Sequence, residues 1–361
     1  MALLQTAQEG TLGVGTAQRS GDFSQWVSRH AAILLLGLFM LLFPVIANDF
    51  FLRQIAGWTM ILGMIALSLT FLAGYGGMVS LVQMTVAGLA GYMIAVFGVS
   101  SLPKVSLFWP WWAAAPMAIV IAVAFGTLAG ALSARTEGIY TIMITLALAT
   151  SFFYLTLQNW PIFNGFNGFT TIPAPHFFGV DWGAAVPLYY LILFFAALSY
   201  AVVLYVSRAP FGLALQGVRD NPRRMAALGF NVNAHRIAAY ALASLIAAFG
   251  GVLQVWNYRQ ISPGSIAVER CIDILIIAVV GGITRPVGPF IGAFTFVMLR
   301  TFALDFLIKV GLDGNRFRLL IGIGFLVIVF WSSDGVIGLW ERWRRSVAER
   351  ESRTRGGHSH G

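Results

Sequence analysis

Arginine carries most of the chemistry this chain can do. Arg208, Arg219, Arg223, Arg224 and Arg236 stand in one polar stretch, Ser207–Arg236, whose sole acidic residue is Asp220. Guanidinium forks suit carboxylates, phosphates and protein surfaces. A second group, Glu269, Arg270 and Asp273, opens an apolar run, and the three-residue step from Arg270 to Asp273 puts both on one helical face. Arg135 and Glu137 flank the entrance to another apolar run, and Arg300 lies inside a third. Covalent chemistry finds no support. Glu269, Asp273 and His176 share no catalytic spacing, and His358 and His360 read as solvated tail residues. The single cysteine, Cys271, excludes an internal disulfide and any multi-cysteine metal site. A phosphate-cradling P-loop needs Gly-Lys followed by Ser or Thr. The lysines are Lys104 after Pro103 and Lys309 after Ile308, so neither qualifies. The expectation is a non-enzyme that binds no metal or cofactor, and whose energy comes from elsewhere.

The elements that hold these side chains are set by composition. With 58% apolar and 10% charged residues, against about 25% charged in soluble domains, the chain has more apolar surface than a water-soluble core can hide. Lipid is its solvent, and backbone groups in lipid must bond within their own helix. The reading is an all-α polytopic membrane protein with about ten transmembrane helices. They lie near Ala31–Ala47, Gly57–Ala73, Met78–Gly98, Trp111–Ala134, Gly138–Leu157, Pro187–Val206, Ile237–Trp256, Ile266–Gly282, Gly288–Leu304 and Leu319–Leu339. Lys and Arg concentrate in alternate connections and in both tails, which places the termini in the cytoplasm. Residues 1–30 read as a cytoplasmic tail rather than a secretory signal, 31–340 as the membrane domain, and 341–361 as a basic cytoplasmic tail. The net charge of +9 therefore reflects membrane orientation, not nucleic-acid binding. Trp58, Trp109, Trp111, Trp112, Trp160, Trp182, Trp256 and Trp340 fall at or near span ends, as an aromatic belt requires. Ile266–Gly282 is short and charged for a crossing, so it reads as a bent crossing beside a water-filled cavity, with a re-entrant half-helix as the alternative.

Within Ser207–Arg236 the run DNPRRMAALGF predicts one short helix. Asn221 caps it, Pro222 suits its first position and Gly229 ends it in the left-handed conformation. About seven helical residues are too few to stand alone in water. Met225 and Leu228 give a small apolar face, while Arg223 and Arg224 give charge. Two readings fit: a knob seated in a cytoplasmic partner, or a basic loop on anionic headgroups. The external connection Gln158–Val186 has no Lys or Arg and is too long for a mere link, so it covers or docks something, unless it is a passive linker. Gln83, Thr85, Tyr140, Thr141 and Thr145 either line a path or hydrogen-bond helices together. For Arg270 with Asp273 the choices are a structural pair or a substrate contact, and for Arg300 snorkelling or a substrate carboxylate. Glycines spaced three or four apart, such as Gly126 with Gly130, read as close-packing sites.

GYGGMVSLVQMTVAGLAGY from Gly74, ARTEGIYTIMITLALATSF from Ala134 and FNGFNGFTTIPAP from Phe163 come in order. They are followed by SRAPFGLALQGVRDNPRRMAALGFNVNAHRIAAYALASLIAAFGGVL from Ser207, ISPGSI from Ile261 and VVGGITRPVGPFIGAF from Val279. This ordered set resembles the branched-chain amino acid permeases of ATP-binding-cassette importers. The resemblance implies a type II-like importer fold in a bacterial inner membrane. It also implies a second permease subunit, two ATPase subunits that use the ATP, and a periplasmic solute-binding protein. It maps the ATPase-coupling segment onto Arg219, Asp220, Asn221, Pro222, Arg223, Arg224, Met225, Ala226, Ala227, Leu228 and Gly229, and binding-protein docking onto Asn164 and Asn167. Two positions depart from the family pattern: Gln83 replaces a histidine, and Met225 replaces an acidic residue.

Three functions compete. An importer permease explains the arginine-bearing helix and the missing P-loop. Its default solute is a branched-chain amino acid, with urea, short amides or another small organic solute as the alternative. A secondary transporter needs carboxylates or histidines at mid-membrane, and no expected span has one at its centre. A membrane enzyme needs a catalytic cluster, which the sequence lacks.

Overall fold

Residues 37, 39–100, 106–177 and 179–309 are described in a computed structural model, and the chain divides after Asp49. In the first unit residues 39–46 are helical. Phe39 and Phe43 meet one turn apart there, their rings tilted by 55° with centroids 5.8 Å from each other.

Among its described residues, the regular structure of the second unit is helical apart from one two-residue ladder and the isolated bridge between Phe169 and Ile261. Helix α1 runs Phe51–Tyr75, with π-type turns at both ends. It is followed by α2 (Gln83–Phe97), α3 (Trp111–Ser133) and α4 (Ile139–Gln158). A folded connection then holds α5 (Trp160–Phe163), β1 (His176–Phe177) and β2 (Val180–Asp181). After it come α6 (Ala185–Arg208), α7 (Pro210–Asp220), α8 (Pro222–Ala227) and α9 (Val232–Tyr258). Helices α10 (Val268–Gly281) and α11 (Gly288–Lys309) complete the described chain.

Five of these helices, α1, α3, α4, α6 and α9, are long and apolar enough to cross a membrane. Their burial separates centre from rim. The most apolar stretch of α1 is 89% buried and that of α9 is 67% buried, whereas α3, α4 and α6 reach only 28–33%. Small residues make α9 the hub. Gly126 and Gly130 of α3 face Ser244 and Tyr240, Gly250 faces Ile65 of α1, and Gly251 faces the Ala87 carbonyl of α2. Side chains at these points would hold the backbones apart, so the close-packing expected of Gly126 and Gly130 is met.

Several bounds move from their expected places. Met78–Gly98 yields a helix only from Gln83, because residues 78–82 are non-helical. Gly57–Ala73, Pro187–Val206 and Ile237–Trp256 all extend, to Phe51–Tyr75, Ala185–Arg208 and Val232–Tyr258. Ile266–Gly282 becomes the 14-residue α10, about 21 Å long against the ~30 Å hydrocarbon core. Its start packs beside the middle of α2, where Ile266 meets Gly88 and Cys271 Sγ lies 3.8 Å from Thr85 Oγ1. Just past its end, the Ile283 carbonyl meets Gly74, at the close of α1. Residues 259–267, with one 3-10 turn at Pro263–Ser265, cover the remaining distance from the end of α9. Of the expected ten spans, the first is described only in part. The tenth (Leu319–Leu339) and the tails at 1–30 and 341–361 lie outside the described residues.

The connection from 158 to 186 is not a loose link. Phe169 and Ile261 exchange backbone hydrogen bonds of 2.8 and 2.9 Å, and the Ile172 N–H donates to the Arg259 carbonyl at 3.0 Å. The Gly183 carbonyl accepts from both Arg53 and Arg259. These bonds fasten the connection to the α9–α10 turn.

Candidate functional site

At the end of the bundle where α1 finishes, α8 forms as its local sequence dictates. The Arg224 N–H donates to the Asn221 side chain at 2.9 Å, Pro222 fills the first turn, and Gly229 takes φ +89°. The Phe230 N–H closes the helix on the Met225 carbonyl at 3.1 Å. No residue of α8 is buried. Arg223, Arg224, Ala226 and Ala227 are exposed, as are Leu228 at 67% and Phe230 at 41%. Met225 differs: it is half-buried, and its sulfur packs over Gly217 of α7.

The expected single helix is thus a pair. Helix α7 precedes α8 and buries Gly212, Leu215 and Val218 against the bundle. The last turn of α7 is pinned. Arg219 Nη1 donates to the Gly74 carbonyl at 2.5 Å, while its Nε donates to Asp220 at 2.8 Å. Gly77 makes room for this side chain, since a Cβ there would lie 2.6 Å from Arg219 Cγ. The far side of the knob is fixed too. Arg236, in the first turns of α9, donates to the Ala134 carbonyl and to Glu137 Oε1, both at 2.9 Å. Its side chain is 10% exposed, that of Glu137 67%. The partner of Glu137 is therefore Arg236, 99 residues further along the chain.

Of the five residues read either as lining a path or as bonding helices together, four make hydrogen bonds between helices or turns. Gln83 is 1% exposed and accepts from the Ser68 hydroxyl at 3.1 Å, joining α2 to α1. Thr85 faces Cys271 of α10. Thr145 accepts the Leu81 N–H at 3.2 Å, and Thr141 donates to the Thr136 carbonyl at 3.1 Å. Tyr140 is 66% exposed on the outer face of α4. All except Tyr140 knit helices or turns together. Asn164 takes φ +59° and donates to the Gly168 carbonyl at 2.6 Å, shaping its loop, and Asn167 is exposed beside it.

A cavity of about 810 Å³ opens at the opposite end of the bundle from α8, and none of the expected path residues lines it. Its polar wall includes Gln54, Gln254, Gln260, Arg270, Asp273 and Arg300. Leu62, Met84, Phe296 and Val297 supply an apolar wall. Arg270 and Asp273 pair at 3.4 Å, as their spacing predicts. The half-length α10 brings its first turns to this cavity. Gln254 is not among the residues expected from sequence, since ionisable groups carry the stronger signal inside an apolar helix. Its signal was an amide in the middle of the otherwise apolar LQVW run of α9. Among the described residues, no three His, Cys, Asp or Glu side chains cluster to hold a metal.

The two ends can do different things. One is an exposed cationic helix braced at both sides. The other holds paired charges and apolar side chains around a cavity.

The family described as branched-chain amino acid transport system / permease component matches residues 51–329. The LivM high-affinity branched-chain amino acid permease of Escherichia coli is 25% identical over 297 aligned residues, 76% of this chain and 65% of that protein. A probable LivM of Methanocaldococcus jannaschii is 26% identical over 61% of this chain and 67% of that protein. The ribose import permease RbsC of Haemophilus influenzae is 22% identical over 85% of this chain and 92% of its own length. The chain thus spans just under two thirds of the Escherichia coli relative. No solved structure gives a significant match. The match runs through both the pinned knob and the cavity walls, and the chain belongs to the branched-chain amino acid transport permease family.

Proposed function

We propose that this chain is the permease subunit of an ATP-driven importer for branched-chain amino acids or closely similar solutes. Helix α8 carries the proposal: six residues with none buried, held in place by α7 and tipped with Leu228 and Phe230. A helix that short is not stable alone. An apolar tip left in water beside Arg223 and Arg224 suits a cleft on a soluble subunit. Two ATPase subunits, a second permease and an external solute-binding protein are its proposed partners. ATP is used by the ATPases, and this chain contributes no cofactor chemistry. The proposed setting is a bacterial inner membrane, with ten crossings and both termini cytoplasmic. The α8 end then faces the cytoplasm, and the 158–186 connection and the cavity face outward.

Motion enters through the pins. Force on α8 passes through Met225 to α7, and through Arg219 to the Gly74–Gly77 turn between α1 and α2. Arg236 passes it to the α3–α4 turn. Both routes reach the hub helices, whose rearrangement would close the outer cavity and open the inner side.

The test is uptake by the reconstituted complex carrying Gly229→Val. A β-branched residue resists φ +89°, so α8 loses its terminator. Leucine uptake is expected to fall about tenfold or more, with the complex assembled and ATP hydrolysis continuing. Wild-type uptake by this variant would contradict the proposal.

A further inference from the structure

The outer cavity has a chemistry that narrows what it takes. Gln254 is 5% exposed, lines the cavity, and its Oε1 has no hydrogen-bond partner among the described residues. A buried acceptor left without a donor is costly, and an N–H group arriving from the cavity would satisfy it. Asp273 also lines the cavity and adds negative charge. Arg270, one turn earlier on α10, adds a cationic fork. Helix α10 begins here with Ala267, which offers no side-chain cap. The start of a helix broken within a bundle favours anionic groups. The cavity thus presents an amide acceptor together with a carboxylate and a guanidinium 3.4 Å apart, and apolar side chains complete its lining.

We infer that this cavity receives its solute as a zwitterion: an ammonium goes to Gln254 Oε1 and Asp273, a carboxylate to Arg270 and the first turn of α10, and an apolar side chain to the Leu62, Met84, Phe296 and Val297 wall. The site rests on the import reading above and deepens it. It disfavours urea and short amides, which carry neither charge. The Arg270–Asp273 pair, at 3.4 Å, holds the two charges in register while the site is empty. A solute of about 810 Å³ or less fits, so one amino acid enters with water around it.

Two measurements test the site on the assembled transporter. The first uses the wild-type complex in nanodiscs without the solute-binding protein, and records saturation transfer to the methyl groups of leucine, leucinamide and 4-methylpentanoate. Leucine is expected to show transfer, and the analogues lacking the carboxylate or the ammonium to show little. Equal transfer to all three, or none to leucine, overturns the site. The second measures leucine taken up per ATP hydrolysed in proteoliposomes containing the whole system. Asp273→Asn and Gln254→Leu each remove one partner of a charge-assisted bond. Uptake per ATP is expected to fall about tenfold, with ATP turnover within about twofold of wild type. Asp273→Glu is expected to recover most of it. Unchanged uptake per ATP in both variants overturns the site and leaves the import reading standing. A wild-type complex that hydrolyses ATP yet takes up no leucine overturns that reading, and the site with it.

Discussion

Arg236 and Arg219 do similar work with different exposure. Arg236 is nearly buried and satisfies the Ala134 carbonyl as well as Glu137. Arg236→Met strands that carbonyl, and the expected cost is about 1–3 kcal/mol. Glu137→Gln leaves Arg236 bonded to Ala134 and removes only a largely exposed carboxylate, at a cost of less than about 1 kcal/mol. Thermal unfolding of the two variants in nanodiscs checks this asymmetry; equal losses would mean the ion pair, not the carbonyl bond, holds the turn. Arg219→Ala is a different experiment, because its partner is the Gly74 carbonyl at the end of α1. The expected result is an assembled complex whose uptake per ATP falls about fivefold or more, since a charged hydrogen bond of about 1.5–3 kcal/mol no longer joins α7 to the bundle. None of these partners was legible in the sequence. Gly74 and Arg219 are 145 residues apart and Arg236 and Glu137 99 apart, and spacing arguments reach only one or two helical turns.

At the scale of elements, local signals read well and long-range ones poorly. Asn221, Pro222 and Gly229 predicted α8 to within a residue or two, because capping and the left-handed turn are decided by nearest neighbours. Asn221→Ala is expected to cost about 1 kcal/mol and to weaken α8 further in the free subunit than in the assembled complex, as amide hydrogen exchange over Pro222–Ala227 would show. Helix α7 was not expected, because only DNPRRMAALGF carries local helix signals in that stretch, while the helical form of α7 accompanies burial of Leu215 against α1 and α9. The polar residues of α2 and α4 tell the same story. A threonine on an apolar helix looks alike whether it faces a passage or bonds its neighbour, and only the fold shows Thr145 holding the Leu81 N–H. Gly130 is the contrasting case, since its four-residue spacing from Gly126 already announced a contact. Gly130→Leu would drive a side chain into Tyr240. The expected outcome is loss of the monodisperse protein on gel filtration.

For the molecule as a whole, the described helices form a buried centre of α1 and α9 inside a rim whose outer faces are apolar. The two ends are unlike. One carries the arginine-bearing knob, the other a fastened loop and a cavity with charge of both signs. Import requires these ends to face opposite sides of the membrane, and that sidedness is the claim on which coupling, solute entry and partner placement all depend. It is tested by labelling intact cells with a membrane-impermeant maleimide, using a chain in which the buried Cys271 is serine. Cysteine is introduced at Leu228, 67% exposed on the knob, or at Phe166, 76% exposed in the fastened loop. The account predicts that F166C reacts in intact cells and that L228C reacts only once the membrane is opened. Labelling of L228C in intact cells would contradict it.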